Sequence, residues 1–180
     1  WALLDYQLII RYLDSAWISD ASHPFSSKSS LFCLDNHLGW CVGDRFLLTT
    51  NGQDWIQVDP GFVQTGAMMG VFFTDPDNGW AVGAQGQIAY SINGGNDWTM
   101  LAHNLTDAML TGILFTSATN GYIIGGNKTL LKYSRIDGVE EREKESIAVR
   151  PNPTTGLFKV HPPASGSKFN IERVELVDLI

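Results

Sequence analysis

Apolar residues in this chain come in short alternating runs, separated by clusters of Gly, Asn, Asp and Ser. A two-residue period broken so often by turn formers predicts short β-strands joined by tight turns. The runs also repeat. Leu31-Phe32-Cys33-Leu34-Asp35-Asn36-His37-Leu38-Gly39-Trp40-Cys41-Val42-Gly43 has a partner at Val71-Phe72-Phe73-Thr74-Asp75-Pro76-Asp77-Asn78-Gly79-Trp80-Ala81-Val82-Gly83. A third copy is Ile113-Leu114-Phe115-Thr116-Ser117-Ala118-Thr119-Asn120-Gly121-Tyr122-Ile123-Ile124-Gly125. Gly39 and Gly43 recur 40 residues later at Gly79 and Gly83, and after a further 42 residues at Gly121 and Gly125. In each copy a strand enters a polar turn, and Gly then opens a second strand. Alternation sets Trp40 with Val42, Trp80 with Val82 and Tyr122 with Ile124, giving a hairpin with one packed face.

A second motif follows two of the copies. Ser91-Ile92-Asn93-Gly94-Gly95-Asn96-Asp97-Trp98 and the shorter Thr49-Thr50-Asn51-Gly52-Gln53-Asp54-Trp55 read as tight turns. In such a turn Asn bonds local backbone, Gly supplies positive φ, and Trp55 or Trp98 packs beneath the loop. From Trp55 to Phe73 is 18 residues and from Trp98 to Phe115 is 17. Trp17 stands 16 residues before Cys33, so Tyr12–Trp17 reads as the end of a degraded earlier copy.

The chain has 180 residues, with 18 Gly and six Trp, is 44% hydrophobic and only 17% charged. That balance suits an all-β protein rich in turns. A net charge of −7 lacks the basic face that nucleic acid or an anionic membrane requires. No apolar run is long enough to span a bilayer as a helix. Two cysteines, Cys33 and Cys41, make no disulfide framework. They share one hairpin, where an oxidising compartment permits a bridge and packing alone favours two small apolar side chains. The chain opens at Trp1 and stops within an apolar run at Ile180, so a fragment of a longer protein is expected.

The Asn-Gly-Trp-x-Val-Gly pattern, followed by Ser-x-Asn-Gly-Gly-x-x-Trp, resembles the repeats of photosystem II assembly and stability factors. It also resembles the Asp-box (BNR) repeats of sialidases and related propellers. Residues 71–98 carry the resemblance best, 31–55 well, and 113–133 in their first half. The resemblance implies that residues 1–134 form a partial β-propeller of about three four-stranded antiparallel blades. An incomplete ring leaves apolar faces and strand edges uncovered.

After Tyr133 the pattern dissolves into mixed charge at residues 135–146, a solvated linker. Pro151-Asn152-Pro153-Thr154-Thr155-Gly156 then precedes the alternating strands Leu157–Val160 and Ile171–Ile180. This stretch, 147–180, resembles the type A C-terminal sorting domain of the Bacteroidota type IX secretion system. The resemblance implies an incomplete immunoglobulin-like β-sandwich, the secretion machinery as a partner, and export through the periplasm to the surface or medium.

Catalytic chemistry has little to work with. His23, His37, His103 and His161 lie outside any metal-ligand spacing. Asp75, Asp77 and Asn78 offer oxygens to a Ca²⁺ ion, but Asp35-Asn36-His37 and Ser117-Ala118-Thr119 hold the same slots elsewhere, and turn formation accounts for all three. Trp40, Trp55, Trp80 and Trp98 recur at repeat spacing, which favours core packing over stacking on sugars. Neither a paired-carboxylate nor a nucleophilic constellation is legible. The reading is therefore a repeat protein without cofactor or metal that binds a protein or glycan ligand. Two alternatives stand beside it: a fragment of a sialidase-like glycoside hydrolase with its catalytic residues elsewhere, and a scaffold of the assembly-factor kind.

Overall fold

The computed structural model describes residues 1–6, 8–20, 26–101 and 105–134, together with the strands at 157–158 and 174–176. The described residues are all-β, and their strands form four antiparallel sheets. The first holds β1 (Ala2–Leu4), β2 (Leu8–Leu13) and β3 (Ala16–Asp20). The second holds β4 (Lys28–Cys33), β5 (Gly39–Gly43), β6 (Phe46–Thr49) and β7 (Ile56–Val58). The third holds β8 (Met68–Phe73), β9 (Gly79–Gly83), β10 (Ile88–Ser91) and β11 (Thr99–Met100). The fourth begins with β12 (Leu110–Ser117), β13 (Asn120–Gly125) and β14 (Thr129–Ser134). Each sheet meanders from its first strand outwards, and the first strands β1, β4, β8 and β12 adjoin in sequence, as in successive propeller blades.

The repeated glycines are explained by what approaches them. Cys33, Phe73 and Phe115 stand directly opposite Gly39, Gly79 and Gly121, and their side chains fill the space a Cβ would need. Gly43, Gly83 and Gly125 face the carbonyls of Ser27, Ala67 and Met109, too close for any side chain. The residue after each of these glycines donates its amide to that same carbonyl, at 2.9, 3.1 and 2.8 Å. The glycine rhythm thus marks where each second strand is pressed against the strand before it.

Packing between blades is mostly apolar and follows one rule. Trp40, Val42, Phe46 and Leu48 of the second blade pack on Val71, Phe73, Ala81 and Ala89 of the third. Trp80, Val82, Ile88 and Tyr90 of the third pack on Phe115, Ile123, Leu131 and Tyr133 of the fourth. Ile9 of the first blade meets Cys41 and Leu47 of the second. Trp40 lies flat on Phe73 with ring centroids 3.5 Å apart, and Trp80 sits 5.0 Å from Tyr133. The face expected to be packed at Tyr122 and Ile124 is instead open, with exposures of 37% and 54%. These residues hold the slot of Trp40 and Trp80, but no following blade lies against them among the described residues.

The first blade departs from the repeat. Trp17 lies inside β3 opposite Tyr12 and is 58% exposed, whereas Trp55 and Trp98 are buried. The fourth blade departs in another way. In blades two and three the outer strand follows within a few residues, but β14 pairs with β16 (Val174–Leu176), which in turn pairs with β15 (Leu157–Phe158). The described strands of the expected sorting domain therefore extend the last blade. The remainder of residues 147–180, and the charged linker, lie outside the described residues.

Candidate interaction surface

The polar turns come first, because they carry the residue types most often recruited for chemistry. In the first hairpin turn of each repeat one acceptor organises the loop. Asp35 Oδ1 accepts the amides of His37 and Leu38 at 2.7 and 2.8 Å. Asp75 Oδ1 accepts those of Asp77 and Asn78, both at 2.9 Å, and Asn78 Nδ2 donates to both carboxylate oxygens at 2.8 Å. Ser117 Oγ takes the same place in the third copy, receiving Thr119 N at 3.3 Å. Burial pulls the Asp75 carboxyl upwards, but the hydrogen bonds from Asn78, Asp77 and Thr74 outweigh it and hold it below the ordinary value. Asp35 is lowered by its two backbone bonds, His37 first. Both carboxylates are thus committed to local backbone, and no group of three or more His, Cys, Asp or Glu able to hold a metal occurs among the described residues.

The Asn-Gly turns are equally self-contained. Asn51 Oδ1 receives the amides of Gln53 and Asp54, while its Nδ2 donates to Asp54 at 2.9 Å. Asn93 receives Asp97 N at 3.0 Å and donates to its carboxylate at 2.8 Å. Each turn is also tied to the blade before it. Trp40 Nε1 donates to Gly94 O at 2.8 Å, across the junction between blades two and three. Arg11 donates to Gly52 O at 2.5 Å, across the junction between blades one and two. Arg11 was invisible to pattern reading, since a lone arginine in a strand normally signals a solvent-facing position. Trp98 bonds within its own turn, Nε1 to Gly95 O at 3.0 Å.

Cys33 and Cys41 are free thiols. They lie on one face but out of register: Cys33 stands opposite Gly39, and Cys41 opposite Leu31. Burial raises Cys33 to about 11 and Cys41 to about 12, so both are neutral packing groups.

What remains open is a groove along the first strands of blades one and two. Two adjoining depressions, of about 510 and 380 Å³, share Leu31. Leu3, Asp5, Tyr6, Ser29 and Ser30 line one; Trp1, Cys33, Asp35 and Asn36 line the other. Tyr6 O accepts Lys28 N at 2.6 Å, which fixes the β1–β2 turn against the start of β4. Trp1 stands edge-on to Trp55 at 5.6 Å. The charged residues lining the groove are both acidic, and β4 is an edge strand of its sheet. A mixed, largely polar lining with Trp1, Leu3 and Leu31, the half-buried edge strand β4 and two acidic side chains suits an extended polypeptide better than a compact small molecule.

Residues 48–134 match the family model described as photosynthesis system II assembly factor YCF48. The fold is that of the YCF48 propellers. YCF48 from Cyanidioschyzon merolae superimposes with a TM-score of 0.60 at 21% identity, over 71% of this chain and 44% of that one. A structure titled YCF48 bound to D1 peptide gives 0.62 at 18% identity, over 73% and 45%. The chain thus spans less than half the length of either. No curated protein matches it in sequence. The repeat residues Gly39, Trp40, Gly43, Trp55, Gly79, Trp80, Gly83, Trp98, Gly121, Tyr122 and Gly125 all lie in the blades, and none of them lines the groove. The motif Pro151–Gly156 lies outside the described residues.

Proposed function

We propose that this chain is a partner-binding propeller segment that receives an extended polypeptide along the groove between β1 and β4, acting as a scaffold without catalysis. The observation that carries the reading is the groove itself, where an edge strand runs beside apolar and acidic side chains. It is supported by the turn residues, which spend their polar atoms on local backbone, and by the similar fold of a YCF48 solved with a peptide. The test is a displayed library of random peptides panned on the chain. Peptides joining a basic residue to apolar neighbours are expected to be enriched, and Ser30→Trp is expected to abolish their capture. Enrichment that survives Ser30→Trp overturns the placement.

We further propose that residues 147–180 act as a type IX sorting region that delivers the repeats to the cell surface or medium. The Pro-Asn-Pro-Thr-Thr-Gly run after a charged linker supports it. A reporter fused to this region, completed from the native gene, is expected to be exported by a type IX-competent host. Its retention in the periplasm overturns the assignment.

A further inference from the structure

The β1–β2 turn carries an aromatic side chain where the backbone disfavours one. Asp5 and Tyr6 both sit in the left-handed region, at φ 49° and 57°. Among the described residues other turns hold such a pair: Asp14 with Ser15, Gln85 with Gly86, and Asn127 with Lys128. Glycine, asparagine and aspartate adopt this conformation readily, but a tyrosine there crowds its Cβ against the backbone. Packing does not hold the Tyr6 side chain in place, because it is 65% exposed. The structural contact is made by its carbonyl, which accepts Lys28 N at 2.6 Å, and any residue supplies a carbonyl. Folding therefore leaves the ring unexplained. Its position does not: Tyr6 and Asp5 line the larger depression of the groove, beside Leu3, Ser29 and Ser30. Backbone strain retained at such a place is characteristic of ligand clamps.

We infer that Asp5 and Tyr6 form the anchor for a basic side chain, arginine or lysine, of the extended polypeptide that the groove receives. This rests on the peptide-binding reading above and adds to it the place where the positive charge is seated. A tyrosine ring offers a negative face to a guanidinium or ammonium, and the neighbouring carboxylate supplies the opposite charge. The two groups act together because they are adjacent in one turn, and the bond to Lys28 fixes that turn against β4. The other acidic residue of the groove, Asp35, lines the smaller depression, and its Oδ1 is committed to the amides of His37 and Leu38. Asp5 shares the larger depression with the ring and is the carboxylate placed to pair with the partner.

The probe is the arginine-containing peptide most enriched by panning on the 180-residue chain, labelled with a fluorophore, together with its twin carrying glutamine for arginine. Fluorescence anisotropy reads binding to the chain and its variants. The native chain is expected to bind the arginine peptide roughly tenfold more tightly than the twin. Tyr6→Gly should lose about five- to tenfold in affinity, the size of a cation–π contact. Its melting temperature should hold or rise, since glycine relieves the left-handed backbone. Tyr6→Phe keeps the ring and should bind like the native chain. Asp5→Asn suits the same backbone, and should weaken binding and flatten its salt dependence. Equal binding of the two peptides overturns the inference, and so does panning that enriches no basic peptide. A fall in the melting temperature of Tyr6→Gly also overturns it, by making the ring a folding element. Capture lost in Ser30→Trp but native-like in Tyr6→Gly strikes the anchor alone, whereas capture that survives Ser30→Trp strikes the groove itself.

Discussion

Trp40 is where the account commits itself most heavily. Its indole is 1% exposed, stacks on Phe73 of the next blade, and donates to the carbonyl of Gly94 in that blade's turn. A buried tryptophan removes roughly 150–250 Å² from water. At about 25 cal/mol per Å² that is about 4–6 kcal/mol, in line with the roughly 3–5 kcal/mol typical of Trp→Ala in a core. Trp40→Ala should therefore cost about 4 kcal/mol, a large share of the roughly 5–15 kcal/mol that holds most domains folded. Trp40→Phe keeps a ring against Phe73 but leaves Gly94 O without this donor, and should cost about 1–2 kcal/mol. Equilibrium urea unfolding followed by near-ultraviolet circular dichroism reads both. The order Ala worse than Phe worse than native, with an unchanged denaturant slope, is the expected result. A Trp40→Ala chain within about 1 kcal/mol of native would refute the idea that this side chain joins two blades.

Three other outcomes are expected. Gly95 sits at φ +82°, and a Cβ there would meet Trp40 Nε1 at 2.7 Å, so Gly95→Ala should destabilise by about 1–3 kcal/mol and selectively perturb the Trp40 indole signal in NMR. Asp75 has a lower pKa folded than unfolded, so its stabilisation is complete above the unfolded value of about 3.9 and fades as pH falls through the folded value. Asp75→Asn should accordingly be less stable at neutral pH and show a shallower loss of stability below about pH 4, measured by thermal unfolding across that range. With Cys33 raised to about 11 and Cys41 to about 12, a thiol-disulfide reagent at pH 8 should label the native chain far more slowly than the urea-unfolded chain. Rapid labelling of Cys41 in the native chain would contradict its burial, whereas Cys33 is only partly buried and lines the groove.

The sequence carried what is local and lost what is relational. Trp40 and Trp80 were legible as core because strand alternation and the glycine frame fix their face before any partner is known. Tyr122 obeys the same alternation yet is exposed, because burial there depends on a further blade, which no pattern within the repeat reports. Asp35, Asp75 and Ser117 were readable as turn residues, since an acceptor two or three positions before the amides it binds is a local device. Arg11 was not readable, because its partner Gly52 is 41 residues away on another sheet. The outer strand of the last blade was hidden for the same reason: Val174–Leu176 alternates like any strand, and nothing in it names β14 as its neighbour. The groove of the candidate site escaped entirely, being made by two first strands whose residues carry no motif.

The account rests on the claim that the Gly-Trp rhythm builds one face per blade and presses it on the next. Nuclear Overhauser contacts between aromatic side chains test this most directly. Cross-peaks between the rings of Trp40 and Phe73, and between those of Trp80 and Tyr133, are predicted in solution, each pair belonging to different sheets. If both tryptophans show contacts only within their own hairpins, the blades do not pack as described and the account is contradicted.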